Sequence, residues 1–177
     1  MPELQMIDQS FDGVRLVARL MCVAARTAPK ARGVDLIVTA VVEGKIKSKL
    51  AARMREIATT GGEQFFERDA SNVDDAMMVV LVGTRARRMG LRGCGFCGCR
   101  DCQEASERTV MCAFNFHDLG VAVGSAVSVA AHHHVDNRVM FSAGKAALDI
   151  GLLPDDVIMA VGIPLSATGK NIFFDRR

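Results

Sequence analysis

A chain of 177 residues, half of them apolar and 24% charged, is long enough for one packed core and too short for two of ordinary size, and it does not have the composition of a disordered polymer. Lys and Arg number 22 against 20 Asp and Glu, a net charge of +2 that excludes a surface built wholly for nucleic acid. With no Trp or Tyr, nine Phe are the only aromatics, so base-stacking platforms and membrane-interface belts are poorly supplied, and any visible colour must come from a bound group.

Met1 to Ser10 carries Glu3 and Asp8 and lacks the basic start and apolar run of a secretory signal, which places the expected location in the cytoplasm. Val14, Val17, Ala18, Met21, Cys22 and Ala25 recur at helical spacing, with Asp12 as a cap and Pro29 as the stop. Asp35 to Val42 is a nearly continuous β-branched run, the pattern of a strand buried on both faces. Ile46 to Thr60 returns to helical spacing and stops at Gly61-Gly62, and Ala76 to Gly83 reads as a second buried strand.

Residues 84–117 break this pattern. They are rich in Gly, Arg and Cys with little apolar periodicity, which marks an insertion organised by something other than a core, inside a single domain spanning 1–177. Asp118 is positioned to cap a helix running to about His134, most of whose surface is Gly, Ala and Ser. Its Gly120-x3-Gly124 spacing suits close helix packing or a dimer seam. The stretch Leu119 to Ala131 is shorter than the ~18 apolar residues of a spanning helix. A helix over Ser142 to Leu152 and a third strand over Asp156 to Gly162, ending at Pro164, complete an α+β order; Asp136-Asn137-Arg138 reads as a turn. Phe173 and Phe174 are expected to pin the polar tail.

Five cysteines fall within nineteen residues, at 94, 97, 99, 102 and 112, with glycines beside the first three. Thiols that crowded, with almost no apolar company, suit metal ligation better than a disulfide framework in a reducing compartment. Cys22, on an apolar helix face, reads as a small hydrophobe. Cys94, Cys97, Cys102 and Cys112 give C-x2-C-x4-C-x9-C, three clustered ligands and a remote one, which suits the four corners of a 4Fe–4S cubane. Zinc is the alternative, although two knuckles separated by one residue lack the span of a zinc ribbon. Under the cubane choice Cys99 is a spare thiol, and His117 is an alternative to Cys112. Arg85, Arg87, Arg88, Arg92 and Arg100 in the same segment offset cluster charge, steer an acidic redox partner, or form a solvated face. His132, His133 and His134 suit a helix C-terminus without any ligand. No Ser/His/Asp order, HExxH or Rossmann GxGxxG between a strand and a helix is present, so the catalytic residues, and whether the chain is an enzyme at all, stay open.

Longer stretches carry a resemblance. Ala24-Ala25-Arg26-Thr27-Ala28-Pro29-Lys30-Ala31-Arg32-Gly33, the cysteine block, Asp118-Leu119-Gly120 through Ala126, Val135-Asp136-Asn137-Arg138, Gly162-Ile163-Pro164-Leu165-Ser166 and Gly169-Lys170-Asn171 with Phe174-Asp175-Arg176 together resemble the uncharacterised prokaryotic ferredoxin-domain family. The resemblance implies cluster ligation by Cys94, Cys97, Cys102 and Cys112 and an electron-transfer role. More distantly, the order of elements is similar to the nitroreductase-like fold, an α/β sandwich that usually forms a homodimer with FMN at the subunit interface. That likeness implies phosphate contacts from Arg26, Lys30, Arg32 and Lys170, and an FMN-dependent reductase with a cluster relay as an alternative to a plain electron carrier or to a structural zinc protein.

Overall fold

The computed structural model describes residues 10–61 and 63–174. The Met1–Gln9 stretch, Gly62 and the last three residues of the tail lie outside the described residues. Elements run α1 (Ser10–Thr27), β1 (Ile37–Val42), α2 (Gly44–Thr59), α3 (Phe65–Asp75), β2 (Met78–Arg85), α4 (Cys102–Glu107), α5 (Ala113–His132), β3 (Asp136–Asn137), α6 (Phe141–Asp149) and β4 (Val157–Ser166).

The strands form one sheet in the order β1-β2-β4-β3, every described pairing antiparallel. Alternation along β2 divides the interior in two. Met78, Val80 and Val82 face α1 and α5, where they meet Val14, Met21, Leu119, Ala126 and Ile163. Val79 and Leu81 face α2, α3 and α6, where they meet Leu50, Met54, Phe66 and Ala147. Burial on both faces is why β2 reads as an unbroken apolar run, and each fully buried side chain of this size contributes about 1.5–3 kcal/mol. The result is an α+β sandwich with helices on both sides of the sheet.

Several expectations change on contact with the structure. Residues 63–75, given no element by periodicity, form α3; its buried positions Phe66, Asp69, Ala70 and Val73 keep helical spacing, but one is a carboxylate, which hides the stripe. Asp69 is tolerated there because Ser142 Oγ donates to it at 2.6 Å, so Ser142 is a buried partner rather than a cap, and α6 begins one residue earlier after Met140. Asp136 and Asn137 pair with Ser166 and Leu165 as β3, not as a turn alone. Pro164 does not end β4: it sits opposite Val79, and its nitrogen faces the same side as Gly162, whose N–H bonds to Met140 rather than to β2. The ladder with β2 therefore loses nothing to the missing N–H. Phe173 pins the tail as expected, but Phe174 is 66% exposed.

The largest revision concerns α5. It starts at Ala113, five residues before the expected cap, and Cys112 holds the N-cap position with no side-chain cap bond. Asp118 lies inside the helix, buried, accepting the Ala31 N–H at 3.0 Å. Gly120 and Gly124 meet nothing within 4 Å beyond their own helix, so their spacing serves no packing within the described chain.

Candidate metal centre

From Arg85 the chain leaves the sheet and runs without regular structure to Asp101. It is held at three points. Arg32 Nη1 donates to Met89 O at 2.7 Å; Asn115, buried at the start of α5, accepts the Arg87 N–H at 3.2 Å and donates to the Arg87 carbonyl at 3.0 Å; and Arg88 donates to Ala105 O at 3.2 Å. Between these anchors Gly95 and Gly98 adopt φ of +62° and +80°, and the Gly98 N–H bonds to Gly95 O at 2.9 Å. This left-handed turn reverses the backbone between Cys94 and Cys99 at no Cβ cost.

Asp101 then caps α4, accepting the Glu104 N–H at 2.8 Å while Glu104 accepts the Arg100 N–H at 2.7 Å. These backbone donors hold both carboxyls below the usual carboxylate range. The cap places Cys102 on the first turn of α4, and the short link to α5 delivers Cys112 to the helix start.

The consequence is a single small cavity, about 20 Å³, lined by Cys94, Cys97, Cys99, Cys102 and Cys112 together with Met89, Leu91 and Phe114. The first turn of the 20-residue helix α5 also lines it, through Ala113 and Phe114, so the free N–H groups and positive dipole end of the helix adjoin the thiols. Burial pushes the Cys99 thiol up, neighbouring Cys97 pushes it in the same direction, and Arg108 pulls it back. Among the described residues no group of three His, Cys, Asp or Glu side chains is placed to hold one metal ion; the five cysteines share the lining of one cavity.

His117 is not among the residues lining this cavity. Its Nδ1 lies 3.2 Å from Asp118 Oδ1 and its side chain is 64% exposed. Cys22 sits apart on α1, and burial raises its thiol despite a hydrogen bond with Thr39, in keeping with its reading as a small hydrophobe.

The four basic residues suggested for a flavin phosphate are not gathered in one chain. Lys30 Nζ donates to the Ala25, Arg26 and Ala28 carbonyls at 3.1, 2.6 and 2.8 Å, capping the C-terminus of α1. Arg26 pairs with Asp35 at 2.6 Å, and Arg32 is occupied by Met89 O. Lys170 lies beside Asn171, which bonds Asp136 just after the C-terminal end of α5, whereas the Lys30–Arg32 turn contacts Asp118 near its start. Roughly 20 Å of helix separates the two. Ser166 is fully buried, so its side chain is not offered to an anion. Within one protomer these residues do not fit a shared phosphate.

Solved structures share this architecture at low identity. A nitroreductase family protein from Clostridium novyi NT superposes with a TM-score of 0.61 at 14% identity, over 96% of this chain and 81% of that one. An FMN- and NADPH-dependent nitroreductase from Sphigopyxis sp. strain HMH gives 0.62 at 13%, over 98% and 86%, and a nitroreductase with bound FMN from Desulfitobacterium hafniense DCB-2 gives 0.58 at 12%, over 95% and 82%. The fold is therefore nitroreductase-like.

Sequence is more specific. A protein of Archaeoglobus fulgidus is 40% identical over 177 aligned residues, covering 96% of this chain and 95% of its own length. The family described as "Uncharacterized protein containing a ferredoxin domain (DUF2148)" matches residues 108–176, a stretch that holds Cys112 but not the other four clustered cysteines. The chain belongs to this ferredoxin-domain family. Among the described residues no helix is long and apolar enough to cross a membrane.

Proposed function

We propose that the chain is an iron–sulfur electron-transfer protein in which Cys94, Cys97, Cys102 and Cys112 hold a 4Fe–4S cluster, within a cluster-binding insertion spanning 84–117 of a single domain. One observation carries this reading: all four thiols, from three separate local structures, line one cavity at the start of a long helix. Thiols distributed around a wall suit a cubane, which takes one ligand at each corner, better than zinc, whose ligands crowd a single ion at ~2.3 Å. A bound cluster would supply one-electron chemistry.

The protein residues have distinct parts in this reading. Cys99 stays a protonated neighbour of Cys97 rather than a ligand. Arg92 and Arg100, both exposed on the cysteine segment, present positive charge to an acidic redox partner. Cytoplasmic residence keeps the free thiols reduced. FMN retention would be coupled to dimerisation, because Lys170 and the Arg26–Arg32 turn lie too far apart in one protomer to share a phosphate and a second copy would have to supply one of them.

Anaerobic purification with iron, zinc and sulfide analysis tests the reading. The expected product is brown, with broad visible absorption and about four irons per chain. Cys97→Ser should remove the colour and Cys99→Ser should keep most of it. Stoichiometric zinc without iron establishes the structural zinc reading instead, and equal loss from both variants shows that the quartet is wrong.

A further inference from the structure

A second cavity opens on the other side of Cys112. It has a volume of about 80 Å³ between the exit from β2 and the link into α5, and it is lined by Ala86, Arg87, Arg88, Met111, Cys112 and Asn115. Cys112 is thus common to this cavity and to the thiol cavity.

The arginines of the segment divide by position. Arg85 pairs with Asp156 at 2.6 Å, Arg108 with Glu104 at 3.4 Å and Arg100 with Asp101 at 3.6 Å. Among the described residues neither Arg87 nor Arg88 has a carboxylate partner, and no acidic side chain lines the cavity they border. Each is held by hydrogen bonds, Arg87 at its backbone and Arg88 at its tip. Asn115 grips the Arg87 backbone by two hydrogen bonds, and Arg88 spends one N–H on Ala105 O, which leaves the rest of its fork available.

We propose that this cavity binds a small carboxylate or oxyanion between Arg87 and Arg88, against Cys112. Planar guanidinium forks match two anionic oxygens, and a positive pair with no internal counter-charge is the arrangement that an incoming anion completes. The unsealed first turn of α5 adds potential of the same sign. The cavity is open to solvent, and its volume suits a small anion such as oxalate or phosphate. An anion seated there is one residue's width from the proposed cluster. Its charge opposes addition of an electron, so binding lowers the cluster's potential and reduction weakens binding in equal measure. That coupling rests on the cluster reading; the binding does not.

Calorimetry with oxalate and inorganic phosphate as probes, on protein as purified anaerobically and on iron-free protein, tests the site. The expected result is saturable one-to-one binding of at least one probe. Arg87→Ala should weaken it at least about ten-fold, the scale of one charge-assisted bond. Lys45→Ala, an exposed cation on α2 outside the cavity, should leave it unchanged. Circular dichroism of both variants checks that they fold alike. No saturable heat up to ~20 mM probe, or equal losses from both variants, overturns the site. Iron content is measured separately: binding without iron supports the site while removing the redox coupling, and iron without binding rejects the site while leaving the cluster. In iron-loaded protein the midpoint potential should fall on saturation with probe, and an unchanged potential overturns the coupling.

Discussion

Arg32 and Met89 lie 57 residues apart, yet the guanidinium of the first donates to the carbonyl of the second at 2.7 Å, tying the turn after α1 to the wall of the thiol cavity. Arg32 reaches it from a left-handed backbone, φ +56°, which costs a non-glycine residue about 1–2 kcal/mol. The contact and the strain separate on substitution. Arg32→Ala should lose the hydrogen bond and keep the strain, destabilising by about 1 kcal/mol. Arg32→Gly should lose the bond and shed the strain, and so should melt above the Ala variant. The reverse order in thermal unfolding would show that the turn is not strained.

Asn115 anchors the other end of the cysteine segment. Its removal in Asn115→Ala leaves the Arg87 N–H and carbonyl without their partners, at a cost of about 2–3 kcal/mol from two partly buried groups. The expected phenotype is a lowered melting temperature together with faster reaction of the cavity thiols with a disulfide reagent. A variant that melts lower with unchanged thiol reactivity would mean that Asn115 supports α5 alone.

β1, β2, most of β4, α1 and α2 were legible because each rests on periodicity: β-branched runs for doubly buried strands, and a 3.6-residue stripe for α1; the sandwich class came from the resemblance instead. The gathering of the five clustered cysteines was legible as spacing. The thiol cavity's third wall was not, because Ala113-Phe114-Asn115-Phe116-His117 carries no apolar stripe, and Asp118 imitates a cap. Its carboxylate serves Ala31, 87 residues away in sequence, a contact no local pattern reveals. The same holds for Lys30 and Arg32, which resemble phosphate ligands as residues and are backbone clasps in the fold. Asp69 obscured α3 for a related reason, since its acceptability depends on Ser142.

At Gly144, α6 packs directly against the backbone of β4. A Cβ there would stand 1.9 Å from Ala160 O and 2.3 Å from its carbonyl carbon, both backbone atoms that cannot swing aside. Gly144→Ala should therefore cost about 3 kcal/mol or prevent folding. Gly13, on the exposed face of α1 with nothing within 4 Å, is the control: Gly13→Ala should be neutral or stabilise by about 0.5 kcal/mol. Chemical denaturation of the two variants gives both numbers.

Asp149 supplies a pH signature. The Lys145 ammonium first, and then the Arg53 guanidinium, hold its carboxyl below the usual carboxylate range. A carboxyl whose folded pKa is depressed releases its proton more readily folded than unfolded. Its contribution is complete above the unfolded value near ~3.9 and is lost as pH falls through the folded value. Asp149→Asn should thus lower the urea midpoint at neutral pH, and the gap from the parent protein should close as the solution is acidified below pH ~4. A gap that persists at the lowest pH at which the protein folds would assign the effect to packing instead.

The outer faces of α1 and α5 bear on whether two copies associate. Leu16, Leu20 and Val23 are 58, 38 and 58% exposed, an apolar stripe at helical spacing. Beside it on α5, exposed Gly120, Gly124 and Ser128 form a stripe of small residues whose glycines meet nothing within 4 Å. An apolar ridge next to a shallow, Cβ-poor groove is self-complementary across a two-fold axis, since each copy offers both halves. The parent protein should sediment as a dimer, and Gly124→Leu, which fills the groove, should raise the dimer dissociation constant at least ten-fold, about 1.4 kcal/mol, with the protomer still folded. Titrating the same two proteins with FMN and following flavin fluorescence separates the second question. Quenching by the dimer but not by Gly124→Leu is the expected pattern for a flavin that needs Lys170 from the second copy. A dimer that leaves FMN fluorescence unchanged keeps the interface and discards the flavin, and a parent protein that sediments as a monomer at ~100 µM discards both.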